Sequence, residues 1–277
     1  MIKFVFFGGE PLSVPTLNKL KNAGLMPSVL VSNPDRPSGR NLEVSSPPAG
    51  DWAKEHNVPL LQPEKARDIK DILEKELYDF FIVVSYGKII PQEILDLPTL
   101  GTINIHPSLL PLYRGPSPII TPILNGDLET GVSIIKIDKD MDHGPILAQE
   151  KMILHGDEMI EDLEKKLADL GGEMLVKIIP EFVEGKIKER DQDHTKVTFV
   201  KKISKGDAEI KLDDDPLTNW RKYRAYHSSP RVFFFQDSKR IIITDASLED
   251  GKFVIKKVLP EGKKEIKYEE FFKSKSV

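Results

Sequence analysis

Two side chains near the end of an apolar run could do chemistry together: Asn104 and His106, in Gly101-Thr102-Ile103-Asn104-Ile105-His106-Pro107. Residues two apart on a strand point to the same face, so a strand here projects both from its end, beside the turn that Pro107 starts. The amide can donate to an oxygen that gains negative charge, and the imidazole can move protons near neutral pH. The same two groups would also serve as loop caps, and the pair alone leaves both readings open. A second candidate is the acidic run Asp138-Lys139-Asp140-Met141-Asp142-His143-Gly144. An EF-hand loop needs Gly at its sixth position and Glu at its twelfth. Those positions hold His143 and Gln149, which excludes that calcium loop and leaves a solvated turn or a catalytic carboxylate. With no cysteine in 277 residues, disulfides, thiolate metal sites and a cysteine nucleophile are excluded. Gly8-Gly9 is followed by no GxGxxG, which argues against a nicotinamide site.

The elements that must position these groups follow from periodicity. Residues 2–7 form an apolar run that ends in a tight turn. Leu12, Val14, Leu17, Leu20 and Leu25 mark a helix with Pro15 in its first turn and Gly24 at its end, and residues 29–31 form the next strand. This βαβ opening implies a parallel sheet with a right-handed crossover. A long loop over residues 33–48 carries Arg36 and Arg40. Helices are expected near 51–56 and 68–77, a strand at 80–84 broken by Ser85-Tyr86-Gly87, and a helix at 118–124 whose N-terminus opens onto the same sheet edge. Strands at 131–137 and 146–154 precede a long helix over 158–184, weakened in its middle by Gly171-Gly172. A polar segment near 185–195 reads as a linker. Beyond it, alternating runs at 208–212, 231–235, 241–244 and 253–258, with an amphipathic segment at 217–226, read as a small β module.

Net charge is −4 overall, yet residues 201–277 hold 18 Lys and Arg against 13 Asp and Glu, a net of +5 that leaves −9 on the first 200. A basic tail on an acidic body suits a polyanionic partner, and a solvated lysine-rich surface is the alternative. The apolar start is too short for a membrane span and lacks a signal peptide's cleavage region, so a cytoplasmic protein with no membrane partner is the expectation.

Asn104-x-His106, then Ser108-Leu109-Leu110-Pro111-Leu112-Tyr113-Arg114-Gly115, Thr130-Gly131-Val132-Ser133 and Met141-Asp142-His143-Gly144, together resemble the 10-formyltetrahydrofolate-dependent formyltransferase family. Asn33-Pro34-Asp35-Arg36-Pro37-Ser38-Gly39-Arg40 is similar to the substrate loop of its members that act on methionyl-tRNA. The segments Phe199–Ile203 and Val258–Lys264 are similar to theirs as well. The resemblance implies a Rossmann-like, mostly parallel catalytic domain over residues 1–188, a linker over 189–202, and a basic, OB-like, shortened β-barrel-like domain over 203–277. It implies formyl transfer to initiator methionyl-tRNA through a tetrahedral adduct, with an amino-sugar acceptor as the alternative. Asn104, His106 and Asp142 match the catalytic set. Val84, Tyr86, Gly87, Ile89, Ser108, Leu109, Pro111, Asp138 and Asp140 match the folate site, and Arg40, Arg114 and Gly115 the acceptor site. No metal and a monomer are expected. His143, where the family commonly has threonine, is a minor rival for proton transfer.

Overall fold

The computed structural model describes residues 2–38 and 43–273. In chain order the elements begin with β1 (Phe4–Gly8), α1 (Ser13–Asn22), β2 (Val29–Ser32), β3 (Arg36–Ser38), β4 (Glu43–Ser45), α2 (Pro48–Glu55) and β5 (Leu60–Leu61). They continue with α3 (Lys70–Leu73), β6 (Phe80–Val84), α4 (Gln92–Leu95), β7 (Thr102–His106), α5 (Ile120–Asn125), β8 (Glu129–Lys136), β9 (Ile146–Ile153) and α6 (Ile160–Val183). The rest are α7 (Pro216–Ala225), β10 (Phe233–Gln236), β11 (Lys239–Glu249), β12 (Lys252–Pro260), β13 (Ile266–Lys267) and α8 (Tyr268–Lys273).

Seven strands form one sheet in the order β5-β2-β1-β6-β7-β8-β9. β1 pairs in parallel with β2 and β6, and β6 with β7, as the βαβ opening requires. β8 turns antiparallel and sets Asn104 opposite Ile135 and His106 opposite Ser133. Parallel strands covered on both faces read as continuous apolar runs, and Phe4, Phe6, Phe7, Phe80, Phe81 and Ile82 are fully buried here.

Residues 68–77 give less helix than expected. A 3₁₀ turn over Ala66–Ile69 leads into the single turn of α3, because only Ala66, Ile69 and Leu73 reach the core. Gly171-Gly172, by contrast, leave α6 unbroken. A Cβ on Gly171 would sit 2.8 Å from Ile105 Cγ2, and one on Gly172 2.9 Å from Lys19 Cγ, so both serve close approach to β7 and α1. The expected run at 208–212 contributes a 3₁₀ turn, Lys205–Ala208, and an isolated bridge between Glu209 and Phe233.

The chain divides into two compact units. The first comprises Met1–Pro116, Thr130–Met152 and Glu164–Phe199; the second comprises Ser117–Glu129, Ile153–Leu163 and Val200–Val277. Residues 189–199, within the expected linker, belong to the first unit, and Arg190 exchanges both backbone hydrogen bonds with Ile146 (2.8 and 3.0 Å). The second unit carries a four-stranded antiparallel sheet in the order β10-β11-β12-β13, with α5, α7 and α8.

Candidate active site

His106 closes β7, with its side chain 5% exposed. Its Nε2–H donates to the carbonyl of Tyr113 at 2.9 Å, because a carbonyl can only accept. The other nitrogen, Nδ1, lies 3.5 Å from Oδ1 of Asp142, whose side chain is 16% exposed. Both ring nitrogens therefore face acceptors, and the imidazolium is the form that can donate to both. Asn104, two residues back on the same strand face, is half-buried, and among the described residues its side-chain amide has no hydrogen-bond partner.

Asp142 sits at φ +50°, a left-handed conformation that costs a non-glycine residue stability. Its Oδ2 accepts the backbone N–H of Gly115 at 2.8 Å, and its carbonyl accepts Nε2 of Gln192 at 2.8 Å. Gly144, two residues on, must be glycine, since a Cβ there would lie 1.9 Å from the Lys136 carbonyl oxygen.

The turn between His106 and Gly115 is braced from below. Ser133 Oγ donates to the Ser108 carbonyl (2.7 Å) and accepts the Leu110 N–H (3.1 Å), while Gln149 Nε2 donates to the Leu110 carbonyl and Ser133 Oγ (both 2.9 Å). Thr198 ties the far side, accepting from Tyr113 N–H at its hydroxyl (2.8 Å) and from Arg114 N–H at its carbonyl (2.9 Å).

Several expected contacts are arranged differently. Tyr86 is buried in the core against Phe7, so only its backbone is left for a ligand, and burial pushes its phenol up to about 12. Ser108 is fully buried, and its hydroxyl donates to the Leu112 carbonyl at 2.6 Å, which makes it a brace for the turn. Arg114, expected at the acceptor site, is 4% exposed and gives its guanidinium to Gln192 and His194, so its charge is taken up inside the protein. Burial holds that guanidinium below its usual range, against the opposing pull of Asp142, Asp138 and Asp140. Asp138 accepts from the Asp140 N–H (3.0 Å) and from Nδ1 of His143 (2.7 Å), and the His143 ring stacks on His194 at 4.2 Å. His143 is thus a loop tie. Val84 is buried at the end of β6, and Gly87 follows at φ +72°. Ile89 is 92% exposed, Asp140 is exposed, and Leu109 and Pro111 are half-buried. Arg40 lies outside the described residues. Among those residues, no three His, Asp or Glu side chains are grouped to hold a metal ion, and no helix is long and apolar enough to cross a membrane.

A mostly parallel sheet that carries an amide and an imidazole on one strand, with a loop carboxylate beside the imidazole, defines an α/β group-transfer enzyme. The chain belongs to the formyl transferase family, which matches residues 2–179. It is 37% identical over 262 residues to the methionyl-tRNA formyltransferase of Chloroflexus aggregans, covering 91% of this chain and 85% of that one. With the methionyl-tRNA formyltransferase of Thermotoga maritima it shares 38% identity over 231 residues, covering 83% and 74%. A solved methionyl-tRNA formyltransferase from Clostridium thermocellum matches with a TM-score of 0.62 at 19% identity, over 94% of this chain and 99% of that one. A sugar 3N-formyl transferase, solved with dTDP and 5-N-formyl-THF, matches with a TM-score of 0.67 at 21% identity, over 95% and 99%. At those identities the structural likeness speaks for the fold.

Proposed function

We propose that this chain, as a cytoplasmic monomer, transfers the formyl group of 10-formyltetrahydrofolate to the α-amino group of initiator methionyl-tRNA. The observation that carries the chemistry is the unpartnered amide of Asn104 beside an imidazole whose second nitrogen faces a carboxylate. An amine that attacks a formyl carbon forms a C–N bond and pushes the carbonyl electron pair onto oxygen. Asn104, whose amide is unpartnered among the described residues, donates to that oxygen, and a single donor of this kind is worth about 10²–10³ in rate. The attacking nitrogen must then lose a proton and the departing nitrogen must gain one. His106 relays it, and Asp142 orients the ring and takes up the charge. The donor's N10–formyl bond supplies the activated carbonyl. Apolar, exposed Ile89 suits the flat face of a pterin, while buried Val84 backs the strand end behind it, and the backbone groups of Tyr86, Gly87, Leu109 and Pro111 suit its polar edge. Asp138 and Asp140 shape the opposite loop.

The acceptor assignment rests on the relatives, on Arg40 in the Pro-Asp-Arg-Pro loop, and on the basic residues 203–277 as a tRNA-facing module that follows a catalytic portion over 1–188 in sequence. Incubation with 10-formyltetrahydrofolate and, in parallel, charged initiator tRNA, a nucleotide-linked amino sugar or water tests it. Formylation of the tRNA alone is expected. Formylation of the sugar instead would overturn the acceptor, and formate release without either product would overturn the transfer.

A further inference from the structure

Gln192 lies in a polar stretch that no local pattern marks, yet it is 5% exposed and uses its whole hydrogen-bonding capacity. Its Nε2 donates to the carbonyls of Asp142 and Gly144, both at 2.8 Å, and its Oε1 accepts Nε and Nη2 of buried Arg114 at 3.1 and 2.6 Å. An amide offers two donors and two acceptor lone pairs, so nothing is left over. The orientation is forced as well, because a flipped amide would set its oxygen against two carbonyls and its NH₂ against a guanidinium. Arg114 precedes Gly115, whose N–H holds Oδ2 of Asp142. The bonds close a ring: Asp142 carboxylate, Gly115, Arg114, Gln192 and back to the Asp142 carbonyl. The segment that carries Gln192 is pinned on both sides, by Arg190 on Ile146 and by Thr198 on Arg114.

We infer that Gln192 is a positioning residue, which holds Asp142 in its left-handed conformation and so sets the 3.5 Å separation between that carboxylate and Nδ1 of His106. The inference rests on the formyl-transfer reading only for its kinetic consequence. Glutamate cannot replace the glutamine, since it keeps the acceptor for Arg114 but offers no donor to the two carbonyls. Alanine removes all four bonds.

The test compares Gln192→Ala, Gln192→Glu, Asp142→Asn and the double variant Gln192→Ala/Asp142→Asn. Each is first checked for folding by circular dichroism and thermal melting. Single-turnover formyl transfer is then measured across pH, and the His106 ring signals are followed by NMR. A kcat loss of about 10- to 100-fold is expected for both Gln192 variants, with acceptor KM within about twofold. In the Asp142→Asn background the Gln192→Ala effect should nearly vanish, because residues acting as one unit are not additive. An additive loss, or full kcat in a folded variant, would overturn the inference. The NMR arm stands apart from activity: His106 ring signals and titration in Gln192→Glu identical to wild type would overturn it whatever acceptor the enzyme uses. Absence of any formyl transfer by the wild type would instead count against the functional reading. Should Gln192→Ala not fold, Gln192→Glu, which keeps the Arg114 pair, supplies both readouts.

Discussion

At the scale of single residues, His106 and Tyr86 make opposite predictions from the same degree of burial. His106 spends one nitrogen on the Tyr113 carbonyl and aims the other at Asp142. His106→Ala is expected to lower turnover at least about 10²-fold, within the range for loss of a general acid–base group, while circular dichroism stays that of the wild type. Turnover within threefold of wild type would remove the imidazole from the chemistry. Tyr86 carries a buried hydroxyl with no hydrogen-bond partner among the described residues. Such a group costs about 1–3 kcal/mol when left unsatisfied, so Tyr86→Phe should be neutral or stabilising by thermal melting, with tetrahydrofolate affinity unchanged. A tenfold loss of that affinity would mean that the phenol, and not only the backbone, meets the pterin. Asn104 and His106 could be read from the sequence because period-two geometry is local. Gln192 could not, because its partners lie 48, 50 and 78 positions away and two of them are backbone carbonyls that any residue supplies.

At the scale of elements, the loop that carries Asp142 and the β3–β4 hairpin are each held by identifiable contacts. The Asp138–Gly144 loop turns back where Gly144 meets the Lys136 carbonyl. Gly144→Ala would force backbone to move, so a loss of about 1–3 kcal/mol in stability is expected, as for overpacking elsewhere, with kcat falling at least about tenfold. Wild-type kcat in that variant would show that Asp142 tolerates the shift. The β3–β4 hairpin is anchored at its base by Asp35, which accepts from Ser46 (2.7 Å) and Gln62 (2.6 Å). Those hydrogen bonds, Ser46 first, hold its carboxyl below the usual range. A depressed carboxyl contributes fully above its ordinary value of about 3.9 and stops contributing as pH falls through its lower folded value. The side-chain amide signals of Gln62 should therefore titrate below about pH 3.9 and lose that step in Asp35→Asn. Titration at or above the ordinary value would refute the anchor. The central strands and the long helix α6 were readable, since runs such as 80–84 and the amphipathic span of α6 are set by burial, whereas β3 and β4 fall inside the span read as a loop. The segment at 68–77 was not, because its charged periodicity continues past Leu73 where the contacts with the core end. The glycine pair in α6 misled for the opposite reason: its neighbours, Ile105 and Thr16, are distant in sequence.

At the scale of the whole molecule, charge is unevenly distributed along the chain, and that was readable from composition alone. Residues 201–277 carry a net of +5 within a chain of net −4. Some of those cations are spent internally, as Lys201 on Asp207, Lys256 on Glu249 and Lys257 on Glu265. Among the described residues Lys202, Lys205, Lys211, Lys252, Lys263 and Lys264 have no ion pair. Each phosphate that such a cation neutralises releases counterions and adds about 0.9 to the slope of log affinity against log salt on a duplex. If the net of five is fully used, the slope for charged initiator tRNA should reach about −4.5, and partial use gives a shallower negative value. A folate carries little comparable charge density, so tetrahydrofolate affinity should change far less over the same range. Titration from 50 to 200 mM salt, reading acceptor KM and folate affinity side by side, separates these expectations. Equal and shallow slopes for both ligands would mean that the basic residues face solvent, and the acceptor would then have to be recognised by the catalytic unit alone.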